Sequence, residues 1–122
     1  VLIARLHALP DAADQVVALS RAVDAQVERG EPGMLLHTFD ADPEDALGFV
    51  WTEVYADSDA LLFHLNNADL GAYLEAVSPH LDSFTIELYG AVADEAVAAL
   101  RATGNSVTHY ANVLGYIRDL SP

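Results

Sequence analysis

His64 is the residue of this chain whose type and position bear most directly on chemistry. Read on a helix, it shares a face with Leu61, Leu65 and Ala68, one turn away on either side, and that face should turn inward. An imidazole placed there has two readings. It is a core histidine hydrogen-bonded to backbone or to a hydroxyl such as Thr52, or it is a base poised near neutral pH. As a base it would take the proton of a phenolic or enolic molecule. Candidate polar contacts for such a molecule surround it in the sequence. Asn66 stands at a helix break, where its amide could donate to a carbonyl or to developing oxyanion charge. Tyr73 lies on the next helix, Thr52 and Trp51 on the preceding strand, and His80 in a loop at the mouth of any pocket. Each has a structural reading beside the functional one. Asn66 and Asn67 form turns well, Tyr73 suits a half-buried core position, Trp51 can simply pack, and His80 can simply be solvated.

Metal and thiol chemistry have less support. The five histidines, His7, His37, His64, His80 and His109, form no H-x-H pair and no H-E-x-x-H helix. His7 and His37 would approach one another if their strands paired, but two imidazoles do not close a site. We therefore expect no metal centre. The chain has no cysteine, which excludes disulfides, thiolate sites and cysteine nucleophiles.

The elements that must position these residues follow from periodicity. Val1–Ala8 alternates as a strand, with Val1, Ile3, Arg5 and His7 on one face. Pro10 ends it and Asp11 is the expected N-cap of a helix carrying Val16, Leu19, Val23 and Val27, with Gly30 at its end. Strands at 33–41 and 47–56 form a hairpin across Asp42–Asp45. Helices are expected at 58–65 and 68–77, then a strand at 81–89. The order is β-α-β-β-α-β, a ferredoxin-like α+β split βαβ arrangement. After it come a helix over 93–101 and a long strand over 107–117. In the third strand, Phe49, Trp51, Glu53 and Tyr55 share one side and Val50, Thr52 and Val54 the other. The mixed aromatic and polar side suits a face that meets a partner. An Arg5–Glu53 pair inside a dimer would fix its register.

The turn Glu31-Pro32-Gly33, the tip Asp42-Pro43-Glu44, the strand end Glu53–Asp57 and the A-x-x-x-H helix of Ala60 and His64 occur in an informative order. Together they resemble the antibiotic biosynthesis monooxygenase family over roughly residues 1–90. The resemblance implies a dimeric α+β barrel, in which the partner's sheet covers the sheet face that the helices leave open. It also implies oxidation of quinol- or anthrone-type substrates by O2 with no cofactor, once a base such as His64 has formed the anion. One branch of that superfamily degrades haem with an Asn on the first strand and a Trp and a His near the second helix. Here those places hold Ala4–His7, His64 and Tyr73-Leu74, so the haem triad is absent. A second His found in many members is replaced by Ala68-Asp69-Leu70.

Composition bounds the partners. The chain carries 19 acids, five arginines and no lysine, a net charge of −14. Nucleic acid and anionic membranes, which bind clustered cations, are not expected. Apolar residues make up 52%, high for a small soluble monomer, so burial against a second copy is expected. No apolar run reaches the roughly 18 residues of a membrane span, and no signal peptide is visible, which suggests the cytoplasm. The expectation is one domain, residues 1–90 as ferredoxin-like core and 91–122 as a dimer-stabilising extension. Its leading function is a cofactor-independent monooxygenase acting on a small aromatic molecule and O2. A non-enzymatic dimeric ligand-binding or stress-related protein is the alternative, and a metal-dependent or lyase-like relative is a third.

Overall fold

A computed structural model describes residues 1–118; residues 119–122, the end of the expected extension, lie outside the described residues. The elements are β1 (Leu2–Ala8), α1 (Ala13–Gly30), β2 (Met34–Ala41), β3 (Gly48–Tyr55), α2 (Ser58–Leu65), α3 (Ala68–Val77), a 3-10 turn (Ser78–His80), β4 (Leu81–Tyr89), α4 (Asp94–Arg101) and β5 (Ser106–Tyr110). The sheet order is β2-β3-β1-β4-β5. Neighbours among the first four strands pair antiparallel in the ferredoxin-like order, and β5 adds to the edge parallel to β4. None of the described helices is long and apolar enough to cross a membrane.

Period-2 burial shows which sheet face carries the helices. Leu2, Ala4, Leu6 and Ala8 of β1, Trp51 and Glu53 of β3, and Ile86 and Leu88 of β4 are all buried. They pack against Val16, Val23 and Val27 of α1, Leu61 of α2, Tyr73 and Val77 of α3, and Ala96, Val97 and Leu100 of α4. The opposite face presents Ile3, Arg5, Val50, Thr52 and Val54, and no described element covers it. This phase corrects the expectation that Trp51 and Glu53 meet a partner: they lie beneath the helices. Arg5 stands on the open face and pairs with Glu87 at 2.7 Å, so the Arg5–Glu53 pair does not form.

Two local expectations also change. Asp11 does not cap α1; it adopts a positive φ of 67° in the turn after Pro10, and Ala12 occupies the N-cap. Asp tolerates the left-handed region better than most residues. The last strand stops at Tyr110 instead of running to Ile117. Its ladder partner β4 ends at Tyr89, opposite Tyr110, and a strand without a neighbour has no hydrogen bonds to make. Beyond it Val113, Leu114, Tyr116 and Ile117 are 82–98% exposed.

Side chains cap the two short helices. Asp57 accepts a hydrogen bond from the Ala60 amide at 2.8 Å, and Asn67 accepts from the Asp69 amide at 2.9 Å. Gly33 has a sharper role. A Cβ on it would stand 2.7 Å from the Ala60 Cβ, so only glycine lets the start of β2 lie against the first turn of α2. Ala60 sits on a rigid helix and cannot rotate away. We expect Gly33→Ala to cost about 1–3 kcal/mol by overpacking, read as a lower urea midpoint with the unfolding slope unchanged. A midpoint equal to wild type would show that α2 shifts freely.

Candidate active site

A buried carboxylate and a buried imidazole meet where α1 ends and α2 ends. Glu31 is the C-cap of α1, its amide bonded to the Val27 carbonyl, and its side chain is almost wholly enclosed. His64 lies in the last turn of α2 and is 4% exposed. Its Nδ1 is 2.8 and 2.9 Å from the two Glu31 oxygens. A carboxylate only accepts, so Nδ1 carries the proton and donates, which leaves the Nε2 lone pair free. Asn67 secures the carboxylate from the other side by donating from Nδ2 to Glu31 Oε2 at 2.9 Å. The same amide group caps α3 through Oδ1, so one side chain ties the helix break to the site.

A second carboxylate stands in front of Nε2. Glu53 Oε1 is 3.7 Å from His64 Nε2 and 3.5 Å from His37 Nε2, while its Oε2 accepts from the Tyr55 hydroxyl at 2.9 Å. His37 Nδ1 in turn reaches Asp24 Oδ1 at 2.8 Å. Strand register explains the meeting, since His37 and Glu53 are direct cross-strand partners on the helix face. His37 stacks on Trp51 with ring centroids 4.3 Å apart. The Trp51 indole donates to Tyr73 Oη at 3.2 Å, and that hydroxyl bonds Ser20 Oγ at 2.8 Å.

These groups converge on one side of a narrow cavity of about 50 Å³ between sheet and helices, room for a few waters. His37, Trp51, Glu53, His64 and Tyr73 supply its chemistry, and Leu65, Leu70, Leu74 and Phe84 its apolar wall. Leu100, Thr103 and Asn105, from the end of α4 and the turn into β5, also line it. The phenols beside it hold their protons. Burial, and then Glu53, push Tyr55 well above its ordinary value, and burial raises Tyr73 despite its hydrogen bonds from Ser20 and Trp51. Both are therefore donors and not bases. Burial alone would lower His37, but the nearby carboxylates of Glu53 and Asp24 outweigh it and leave the imidazole raised.

Of the residues singled out from the sequence, His64, Trp51 and Tyr73 come together at the cavity. Thr52 does not: it points to the open sheet face, one residue out of phase with Trp51 and Glu53. Asn66 is exposed and spends its amide on the Leu62 carbonyl at 2.9 Å, closing the α2 C-terminus. His80 sits in the 3-10 turn, outside the residues that line the cavity. His7 and His37 do not approach each other. β3 and β1 are neighbours, β2 and β1 are not, and the two imidazoles point to opposite faces. His7 instead bridges Asp45 at 2.9 Å and Asp82 at 2.8 Å. Glu31, His37, Glu53 as a site residue and Asn67 were missed. One signal for Glu31 exists in the sequence: a carboxylate at a helix C-terminus opposes the helix dipole and so marks a residue with another partner. Among the described residues, no three His, Asp or Glu side chains converge as a metal-ligating set.

A sequence model of antibiotic biosynthesis monooxygenase domains matches residues 1–76. No curated protein sequence matches the chain. Solved structures resemble it in fold. A Caulobacter crescentus CB15 protein is 24% identical with a TM-score of 0.67, spanning 70% of this chain and 81% of that one. A Pseudomonas aeruginosa protein is 28% identical with a TM-score of 0.64, over 70% and 85%. A structure described as an antibiotic biosynthesis monooxygenase is 27% identical, also at 0.64, over 70% and 90%.

The raised histidines give stability a definite pH dependence. A group whose folded value lies above its ordinary 6.5 stabilises the fold fully below about that pH. That contribution is lost as pH rises through the folded value. His37, and His7 held by Asp82 and Asp45, both act in this sense. We expect the urea midpoint to fall between pH 6 and 8.5, and His37→Gln and His7→Gln each to flatten the fall. A midpoint that rises over this window would contradict the assignment.

Proposed function

We propose that this chain, which belongs to the antibiotic biosynthesis monooxygenase family, oxidises a small aromatic, quinol- or anthrone-like molecule with O2 and without a cofactor. The observation that carries the reading is the bond from His64 Nδ1 to Glu31, which in the neutral ring puts the lone pair on Nε2, on the cavity side. A general base needs its free lone pair, a fixed ring and shelter from water. Glu31 supplies the first two, as the orienting carboxylate does in hydrolase triads, and the leucine-rich wall supplies the third. Nε2 takes the proton from an acidic C–H or O–H of the substrate. The resulting imidazolium sits between Glu31 and Glu53, which compensate its charge. The electron-rich anion then reacts with O2. For a methylene flanked by aromatic rings the sum is CH2 + O2 → C=O + H2O, in which the substrate supplies every electron and no external reductant enters. Tyr73 and Trp51 line the cavity wall, and Asn67 acts only through Glu31.

The cavity must widen to seat a ring, by parting Leu65 and Leu70 from α4. The near-complete enclosure of His64, its Nδ1 taken by Glu31, favours the second reading, a dimeric protein that binds a small ligand without turning it over. Oxygen uptake with a panel of anthrones and dihydroquinones separates the two. We expect uptake above the protein-free rate, His64→Ala to lower it about 100-fold or more, in the range typical of a lost general base, and Glu31→Gln to lower it by a smaller factor. Uptake indifferent to both substitutions would remove His64 as the base, and none on any substrate would favour the binding protein.

The same reading includes a homodimer through the open sheet face, whose centre is aliphatic (Ile3, Val50, Val54) with Leu36 at 41% exposure beside it. The extension adds to it through the apolar segment beyond Tyr110. Light scattering is expected to give twice the chain mass, falling to monomer for Ile3→Asp and to a weaker dimer for a chain ending at Tyr110. A monomeric wild type would refute this arrangement.

A further inference from the structure

Three side chains beyond the base form an alternating line of acids and imidazoles from the cavity to the surface, Glu53, His37 and Asp24 in sequence, with Tyr55 anchoring the first. From these we propose that Glu53, His37 and Asp24 are a proton relay connecting His64 Nε2 with solvent. It rests on the oxygenase reading only for the use to which the proton is put. The geometry carries it in three ways.

First, Glu53 Oε1 lies between two imidazole nitrogens, 3.7 Å from His64 Nε2 and 3.5 Å from His37 Nε2. Both distances exceed a hydrogen bond, so the oxygen is committed to neither ring. Tyr55 holds the other oxygen at 2.9 Å, which makes that contact a pivot. A small swing shortens one gap while lengthening the other.

Second, burial falls along the line. The side chains of His64 and Glu53 are 5% and 8% exposed, that of His37 10% and that of Asp24 46%. Asp24 and His37 open into a groove completed by Val27, Glu28, Met34 and Leu35, which shares only His37 with the lining of the cavity. A proton delivered there reaches water without crossing the substrate's space.

Third, the other ionisable groups facing the line, among the described residues, are accounted for: Glu31 is already on His64, Tyr55 and Tyr73 stay phenols, and the Val1 ammonium near Glu53 is itself a proton donor and not an acceptor. Glu28 stands at the groove mouth, where a second carboxylate favours receipt of a proton.

The transfer balances. His64 Nε2–H, formed on taking the substrate's proton, passes it to Glu53 Oε1. Glu53 then gives it to His37 Nε2, and His37 releases its Nδ1 proton to Asp24 Oδ1, 2.8 Å away, and so to water. The first tautomer is restored by exchange with groove water: Nδ1 takes up a proton and the resulting imidazolium gives up the one on Nε2. These residues carry the proton onward from His64 and take no part in the reaction with O2.

The relay is read out without substrate. In protein labelled with ¹⁵N at histidine, the exchange of the His64 Nε2 proton with water is measured at a pH where it is bound. We expect His37→Gln to slow exchange tenfold or more, and Asp24→Asn, a surface change that spares the core, to slow it severalfold. The Trp51 indole proton, hydrogen-bonded to Tyr73 and off the line, should exchange as in wild type and reports that the fold is intact. Added imidazole should restore exchange in His37→Gly, because the groove admits it; a merely structural histidine would show no such rescue. Exchange within twofold of wild type in both His37→Gln and Asp24→Asn, or signals broadened alike in all three proteins, would overturn the relay and route the proton through the cavity. Oxygen uptake plays no part in this readout, so its absence would bear on the oxygenase reading alone.

Discussion

A carboxylate at the C-terminal end of a helix stands in an adverse field, and one that is also buried has lost its water. Glu31 has both handicaps, the first worth about 0.3–1 kcal/mol and the second several. It is tolerable because His64 Nδ1–H and the Asn67 amide both donate to it. That arrangement requires three separate chain ends to arrive at one point: the end of α1, the end of α2 and the start of α3. Removing either partner leaves an uncompensated buried group, at a typical cost of 3–5 kcal/mol for a broken buried pair. The rest of the site is built on this contact, because it fixes the ring whose other nitrogen faces the cavity and Glu53.

The short motifs around the site then have physical explanations. Glu-Pro-Gly is a way to end a helix, turn at once and leave the glutamate side chain inside. Gly33 at its close is bare because Ala60 packs onto it. Ala60 and His64 are one helical turn apart, so the contact that presses α2 onto Gly33 is the one that brings His64 to Glu31. The Ala-x-x-x-His spacing and the Glu-Pro-Gly turn are two halves of one joint. Asn67 finishes it by capping α3 and holding Glu31 with opposite ends of a single amide.

Most of the fold was legible because it rests on periodicity. The 3.6 repeat of Val16, Val23 and Val27, the hairpin tip at Asp42–Asp45 and the caps at Asp57 and Asn67 each state their element locally. The phase of β3 was not legible. Val50 and Val54 look more like core than Trp51 and Glu53 do, and a strand apolar on both sides gives no sign of which side bears helices. That ambiguity concealed the site, since placing Glu53 under the helices is what brings it to His64 and His37. His37 was hidden for the same reason: its partner lies across a strand pair, and only register reveals it. The C-terminal strand was over-read from β propensity. Val107–Ile117 has the right residues, but a strand extends only as far as its neighbour does.

The division of the cavity between shared and particular parts limits what its relatives can teach about substrate. Glu31, His37, Glu53 and His64 all fall within residues 1–76, the part that matches the family. Leu100, Thr103 and Asn105 lie beyond that match. His64 and the side chains around it therefore lie on the segment that matches the family, while one wall of the cavity is made by an element outside it. An apolar pocket discriminates by shape at only about 1–3 kcal/mol per methylene, whereas a polar group built to meet a substrate atom discriminates far more strongly. Thr103 already satisfies its hydroxyl on the Leu100 carbonyl, and Asn105 donates only a long 3.3 Å bond to Thr103. The Asn105 amide thus has donor and acceptor capacity left over. If this fold sets its chemistry through residues 31–64 and its choice of molecule through residues 100–105, two members could share the reaction and differ wholly in what they accept.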